Sequence, residues 1–252
     1  MRIVDLSAPI APSAPDAPPL MSVEIEYSDH AVGAETIEAM FGVPPRLLRR
    51  GEGWALDTIT NLGTHNSTHV DAPWHYNSVV GGEPAQKIDE LPLEWFFAPG
   101  VRLDFRARRD GDAVTREEVK GELARVRHRL EPLDIVLVQT GRDAFYERID
   151  YPSLGCGVTA EATHWLWEQG VRVMGIDGWS WDRPLHLQAE DALERDERGI
   201  FWAAHQCDVP YCQIERLHNL GELPATGFTV ACFPLRIVGA SAAPARVVAI
   251  IR

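Results

Sequence analysis

An α/β fold with a mixed sheet is predicted by three features of this 252-residue chain. Apolar, β-branched runs at residues 135–140 and 171–176 read as buried strands. Helix-opening and helix-closing signals stand between such runs, an alternation typical of α/β architecture. The length can bury one large core, and no composition shift marks a boundary, so a single domain over residues 1–252 is expected.

In chain order, residues 2–6 read as a strand and lead into the Ala- and Pro-rich residues 8–19, too turn-rich for regular structure and expected as an arm or loop. Residues 36–48 hold a short helix candidate interrupted by Gly42 and Pro44-Pro45. A strand-like stretch, 54–62, precedes a histidine-rich run. Gly81-Gly82 and the Pro-containing stretch to Pro99 read as a loop before a strand at 100–105. Thr115-Arg116-Glu117-Glu118 has the capping-box pattern and opens a helix. A helix over 159–169 closes at Gly170, just before the second buried strand. Strands at 228–233 and 246–251 complete the set.

The formal charge of −13 opposes binding to a phosphate backbone, which needs clustered Lys and Arg, so nucleic acid is not an expected partner. Asp5 interrupts what would be a signal peptide's apolar segment, and no apolar run reaches the ~18 residues of a membrane span. A cytoplasmic protein without a membrane partner is expected. Cys156, Cys207, Cys212 and Cys232 show no Cys-x-x-Cys spacing, so neither a zinc knuckle nor a disulfide scaffold is indicated.

The chemistry is concentrated in His65-Asn66-Ser67-Thr68-His69-Val70-Asp71-Ala72-Pro73-Trp74-His75. Three imidazoles and a carboxylate within eleven residues are the donors a divalent transition metal takes. Asn, Ser and Thr are weak helix formers and Pro73 forbids continuation, so extended structure is favoured over a helix. Four extended residues span about 13 Å, too far for two imidazoles to share one ion. The chain must therefore bend at Asn66-Ser67, after which His69 and Asp71 share a strand face. His75, beyond Pro73, suits proton transfer.

The run His65-x-x-x-His69-x-Asp71-x-Pro73-x-His75 resembles the signature of the metal-dependent cyclase family, which includes kynurenine formamidases, isatin hydrolases and trans-dienelactone hydrolases. Ser67 stands where that family usually has Gly, which bears on the turn because Ser reaches positive φ less easily. Val4-Asp5-Leu6-Ser7, Gly175-Ile176-Asp177, and Ile214-Glu215-x-Leu217 through Phe233-Pro234-Leu235 extend the likeness over most of the chain. The resemblance implies a swivelling β/β/α type of fold, metal ligands His65, His69 and Asp71, and His75 as the acid/base. It further implies a second site, completed by Glu215 and His205, with Asp71 bridging two ions. Cys207 and Cys212 lie between those two residues and are the alternative ligands. A homodimer or homotetramer is also implied by resemblance alone.

Asp177 has two readings, capping the next turn or orienting a ligand imidazole. Of eight tryptophans, Trp74 and Trp179 are the candidates for lining a substrate pocket. The expected chemistry is metal-assisted hydrolysis of a small amide, formamide or lactone: Zn2+ or Mn2+, one or two ions per chain, makes hydroxide available from water at neutral pH, and His75 moves the proton. No Gly-x-Ser-x-Gly elbow competes with this reading. A non-hydrolytic lyase or cyclising enzyme of the same fold, and a metal-containing binding protein without turnover, are the alternatives.

Overall fold

The computed structural model describes residues 1–14, 17 and 22–252. Residues 15, 16, 18 and 19 of the Ala/Pro-rich stretch lie outside the described residues, and residues 8–14 carry no helix or strand. In chain order the described elements are β1 (Arg2–Asp5), β2 (Val23–Glu26), α1 (His30–Phe41), β3 (Thr58–Leu62), β4 (His69–Asp71), α2 (Pro73–Tyr76), β5 (Val79–Val80), β6 (Glu83–Pro84), β7 (Phe97–Asp104), β8 (Ala113–Val114), α3 (Arg116–Arg125), β9 (Ile135–Gln139), β10 (Gly157–Val158), α4 (Ala160–Glu168), β11 (Val173–Ile176), α5 (Leu185–Arg195), β12 (Cys212–Glu215), β13 (Phe228–Ala231), β14 (Ala242–Pro244) and β15 (Val248–Ile251). They fall into two compact units, Met1–Pro9 with Ser67–Arg252, and Ile10–Asn66. No helix among the described residues is long and apolar enough to cross a membrane.

The larger unit is built on a nine-stranded sheet in the order β1-β15-β13-β7-β9-β11-β12-β4-β14. Strands β7, β9, β11 and β12 run parallel, and the strands outside them pair antiparallel, so the expected mixed sheet is present. All five residues of β9 are buried. Ile135 and Leu137 enter one apolar core with Val173, Ile214 and Val230, while Val136 and Val138 enter a second with Val119, Leu123 and Leu166 of α3 and α4. A strand covered on both faces reads as a continuous apolar run, which is why it was visible in the sequence.

Helix α3 opens with the expected capping box, the Thr115 side chain accepting from Glu118 N and the Glu118 side chain from Thr115 N. Helix α4 is capped by Thr159, and Gly170 takes φ 94° after it. Strand β7 begins at Phe97, earlier than expected, and includes Pro99. Pro99 pairs with Thr229 of β13, and β9 joins the other side only from Gly100 onward, so the proline lies where no second neighbour requires its missing N–H. Helix α5 was not expected, because its surface is largely charged and Gln188 is its only buried residue.

In the smaller unit, α1 starts six residues before the expected helix. Asp29 supplies the cap, its carboxylate accepting from Ala31 N and Val32 N, and Gly42 in the left-handed region ends the helix. Strands β2 and β3 of the same unit pair antiparallel.

Candidate metal centre

The histidine-rich run bends where the spacing required. Residues 64–68 form turns and bends, and Ser67 takes φ 57°. Two contacts hold that serine: its hydroxyl donates to Ala8 O at 2.9 Å and lies 3.2 Å from Pro9 O. The neighbouring Thr68 hydroxyl donates to Arg216 O at 2.6 Å and accepts from Ala8 N at 2.8 Å. Strand β4 then enters the sheet between β12 and β14, with His69 opposite Glu215 and Asp71 opposite Gln213.

Sheet periodicity places His69 and Asp71 on one face, and register puts Glu215 beside them. His69 Nε2 lies 3.3 Å from Asp71 Oδ1 and 3.7 Å from Glu215 Oε2. The three side chains are buried, and one ligand atom from each lies within 4.8 Å of the others. Two ligands held about 2.1 Å from a common ion stand about 3.0–3.4 Å apart, so the set fits a metal with small adjustment. Its chemistry fits too, since two buried carboxylates facing each other repel unless a cation joins them.

The imidazoles are fixed by their far nitrogens. His69 Nδ1 is 2.9 Å from Ser67 O, an acceptor only, so Nδ1 carries the proton and Nε2 turns its lone pair to the carboxylates. Burial opposes charge on this ring, yet Asp71 beside it raises its proton affinity overall. His205 is held the same way: Nδ1 lies 2.6 Å from Asp182 Oδ2, and Nε2 lies 3.5 Å from Glu215 Oε1. Asp182 also accepts from Ala204 N at 3.1 Å and His205 N at 3.0 Å. Burial disfavours the charged form of His205, but the bonds to Asp182 and Glu215 outweigh it and push its pKa up to about 9. Glu215 thus stands between His69 and His205, and accepts from Trp181 N at 3.0 Å. Burial works against its charge, yet the His205 hydrogen bond and the imidazoles hold its carboxyl below the usual range.

His75, on α2, is partly exposed. Its ring centre lies 6.1 Å from that of His205 and 5.0 Å from that of Trp202. The structure therefore gathers His69, Asp71 and Glu215, with His205 beside Glu215, and a His75 ring nitrogen also lies within 4.8 Å of an Asp71 carboxylate oxygen. His65 lies in the smaller unit, in the turn that follows β3. Trp74 is 40% exposed, with Lys87 Nζ 5.4 Å from its ring centre. Trp179 is half-buried under the Arg216 guanidinium.

Asp177 takes the capping role. Its carboxylate accepts from Thr140 N at 2.6 Å, Thr140 Oγ1 at 2.7 Å and Gly141 N at 2.8 Å, while burial, only partly offset by these donors, pushes its pKa up to about 7. The imidazole-orienting part falls to Asp182, which no local pattern announces because its partner is 23 residues away. Neither Cys207 nor Cys212 joins a metal-ligand cluster among the described residues, and burial holds both thiols protonated, Cys207 up to about 12. Trp202 was also missed as a site residue. Its ring stacks on His205 at 4.6 Å and 17°, and its backbone N–H donates to Gln188 Oε1 of α5 at 2.7 Å. Its place three residues before His205 was the available signal.

Imidazole and carboxylate donors converging on a mixed sheet define a class, the α/β proteins built around a divalent-metal site. This chain belongs to the cyclase family, whose model, described as "Putative cyclase", matches residues 4–183. It is 30% identical over 190 residues to a kynurenine formamidase of Salinibacter ruber, covering 74% of this chain and 76% of that protein. It is 26% identical over 194 residues to cyclase-like protein 3 of Arabidopsis thaliana, covering 75% of this chain and 63% of that one. Among solved structures, isatin hydrolase A of Labrenzia aggregata, bound to benzyl benzoate, superposes with a TM-score of 0.72 at 26% identity, over 99% of this chain and 93% of the other. Isatin hydrolase A of Ralstonia solanacearum shares the fold, with a TM-score of 0.74 at 22% identity over 100% and 92% of the two chains.

Proposed function

We propose that this chain is a metal-dependent hydrolase that cleaves the C–N bond of a small amide, with formamides and cyclic amides as the leading substrate classes and lactones next. The convergence of His69 Nε2 with the Asp71 and Glu215 carboxylates carries this reading. The formamidase and isatin hydrolase likenesses support it. A divalent ion held by these three residues supplies Lewis acidity, which lowers the pKa of water from about 15.7 toward about 7 and polarises a carbonyl oxygen. One imidazole and two carboxylates suit Zn2+ and Mn2+ alike, so we propose either ion, with His205 and Glu215 as the place of a second.

The remaining work belongs to the chain. Ser67 O and Asp182 hold the two imidazoles in the tautomer whose Nε2 faces the carboxylates. Burial excludes bulk water from the donor set and strengthens its electrostatics. His75 has a ring nitrogen within 4.8 Å of an Asp71 carboxylate oxygen, which sets it beside the metal ligands to exchange a proton with a bound substrate's leaving nitrogen, and it is exposed enough to pass the proton on. We place this enzyme in the cytoplasm as a homodimer or homotetramer, with a small molecule as its partner.

His75→Ala tests the proton role: turnover falls by roughly 10² to 10⁴-fold while metal content, measured by elemental analysis, stays near that of the parent. Unchanged turnover on a panel of formamides, cyclic amides and lactones contradicts it. Hydrolysis also places one oxygen from labelled water in the product acid, which a lyase or cyclising reaction does not.

A further inference from the structure

We propose that Arg216 forms a carboxylate-recognition site beside the metal cluster, so that the preferred substrate is an amide whose aryl or acyl part carries a carboxylate. The substrate half of this inference rests on the hydrolase reading above.

Arg216 follows Glu215 directly and is 4% exposed. Its backbone is tied on both sides, its N–H donating to Gly178 O at 3.1 Å and its carbonyl accepting from Thr68 Oγ1 at 2.6 Å. It takes φ 58°, a left-handed conformation that a long side chain rarely adopts. The guanidinium carbon lies 3.7 Å from the centre of the Trp179 ring. Among the described residues no carboxylate lies within 4.0 Å of this guanidinium, it donates no hydrogen bond to any side chain or carbonyl, and Nε is buried without a partner. Arg108 and Arg102 of the same unit share an Nε without a hydrogen bond but engage their terminal nitrogens, Arg108 Nη1 pairing with Glu118 at 2.8 Å and Arg102 Nη1 with Gln139 and Asp104, so Arg216 differs in the free end of its fork.

Arginine stays charged in proteins, so burial leaves a cation here that an aromatic face offsets only in part. A buried polar group left unsatisfied by its own chain points to a partner from outside. The planar fork of donors matches a carboxylate with two parallel bonds, and the Trp179 face 3.7 Å away restricts where that fork can lie. Arg216 adjoins Glu215 in the chain and its carbonyl is bound by Thr68, the neighbour of His69, so its side chain starts at the edge of the cluster. An anion on the fork therefore stands next to the cluster, where the amide of the same molecule is within reach. The covering ring, Trp179, is itself partly exposed.

The test compares 2-formamidobenzoate with formanilide, the same aryl formamide with and without a carboxylate. The site predicts a kcat/KM at least about tenfold higher for the anionic substrate, the worth of one charged hydrogen-bonded contact, expressed mainly in KM. R216M brings the ratio of the two substrates near one, and R216K, which keeps the charge without the fork, lies between. Binding provides a readout independent of turnover. In chelator-treated protein, benzoate saturates a change in tryptophan emission for the parent and not for R216M, whereas benzamide changes neither. Equal kcat/KM for the two formamides in the parent, a ratio unmoved in both variants, or benzoate binding equally well to R216M each overturns the proposal. Benzoate binding that depends on Arg216 in a protein that cleaves neither formamide, nor any cyclic amide or lactone of the panel, upholds the anion site while removing the hydrolase reading.

Discussion

Ser67 occupies a backbone conformation that favours glycine and holds it with a hydroxyl that glycine lacks. The left-handed region costs an L residue roughly 1–2 kcal/mol, and a net hydrogen bond returns about 1 kcal/mol, so the two nearly cancel. Ser67→Ala is expected to lose about 1 kcal/mol, measured by denaturant unfolding, whereas Ser67→Gly stays close to the parent because relief of strain offsets the lost bond. His69 and Asp71 were legible in the sequence because a two-residue spacing in a strand fixes their common face. Asp182 and Trp202 were not, because their roles depend on contacts with His205 that only the folded chain creates. Asp182→Asn leaves one of the N–H groups around His205 facing an amide nitrogen. It is expected to weaken metal binding by about 10 to 100-fold in a competition with a chromophoric chelator, the usual effect of disturbing a ligand's orienting partner.

Among the elements, those with strong local signals were readable and those defined by long-range pairing were not. The capping box of α3 is written in four consecutive residues, and Thr115→Ala is expected to cost about 1 kcal/mol in thermal unfolding. Strand β9 announced itself by an unbroken apolar run. Strands β4 and β14, three residues each, are too short for any periodicity, and their pairing across about 170 residues of chain is a product of the sheet. Glu215 could be singled out from its surrounding motif, but its position opposite His69 is a matter of register between β12 and β4. Helix α5 hid behind a charged surface, and its Gln188 is what anchors Trp202 beside the imidazole.

The molecule as a whole carries a formal charge of −13, and part of that excess is buried as carboxylates at its site. A cation is therefore a stabilising ligand as well as a reagent. Zinc or manganese at about a thousand times its dissociation constant is expected to add about 4 kcal/mol to unfolding, seen as a rise in Tm that a chelator reverses. Acid exposes a second dependence. The Arg106 side chain, by hydrogen bonding to Asp104, holds that carboxyl at about 2 against a usual value near 4. Its folded value lies below its unfolded one, so the stabilisation is complete above about pH 4 and is lost as pH falls toward about 2. Solvent around Arg106 limits the effect to about 1 kcal/mol, so Arg106→Gln should lower stability by that amount at neutral pH and match the parent only below pH ~2.

The convergence of His69, Asp71 and Glu215 on one ion is most directly tested by calorimetric titration of the chelator-stripped protein with zinc and with manganese. At least one ion per chain should bind to the parent, and Asp71→Asn and Glu215→Gln should each remove most of that affinity while keeping a cooperative melt. A folded parent that takes up neither metal, or variants that bind as tightly as the parent, would contradict it.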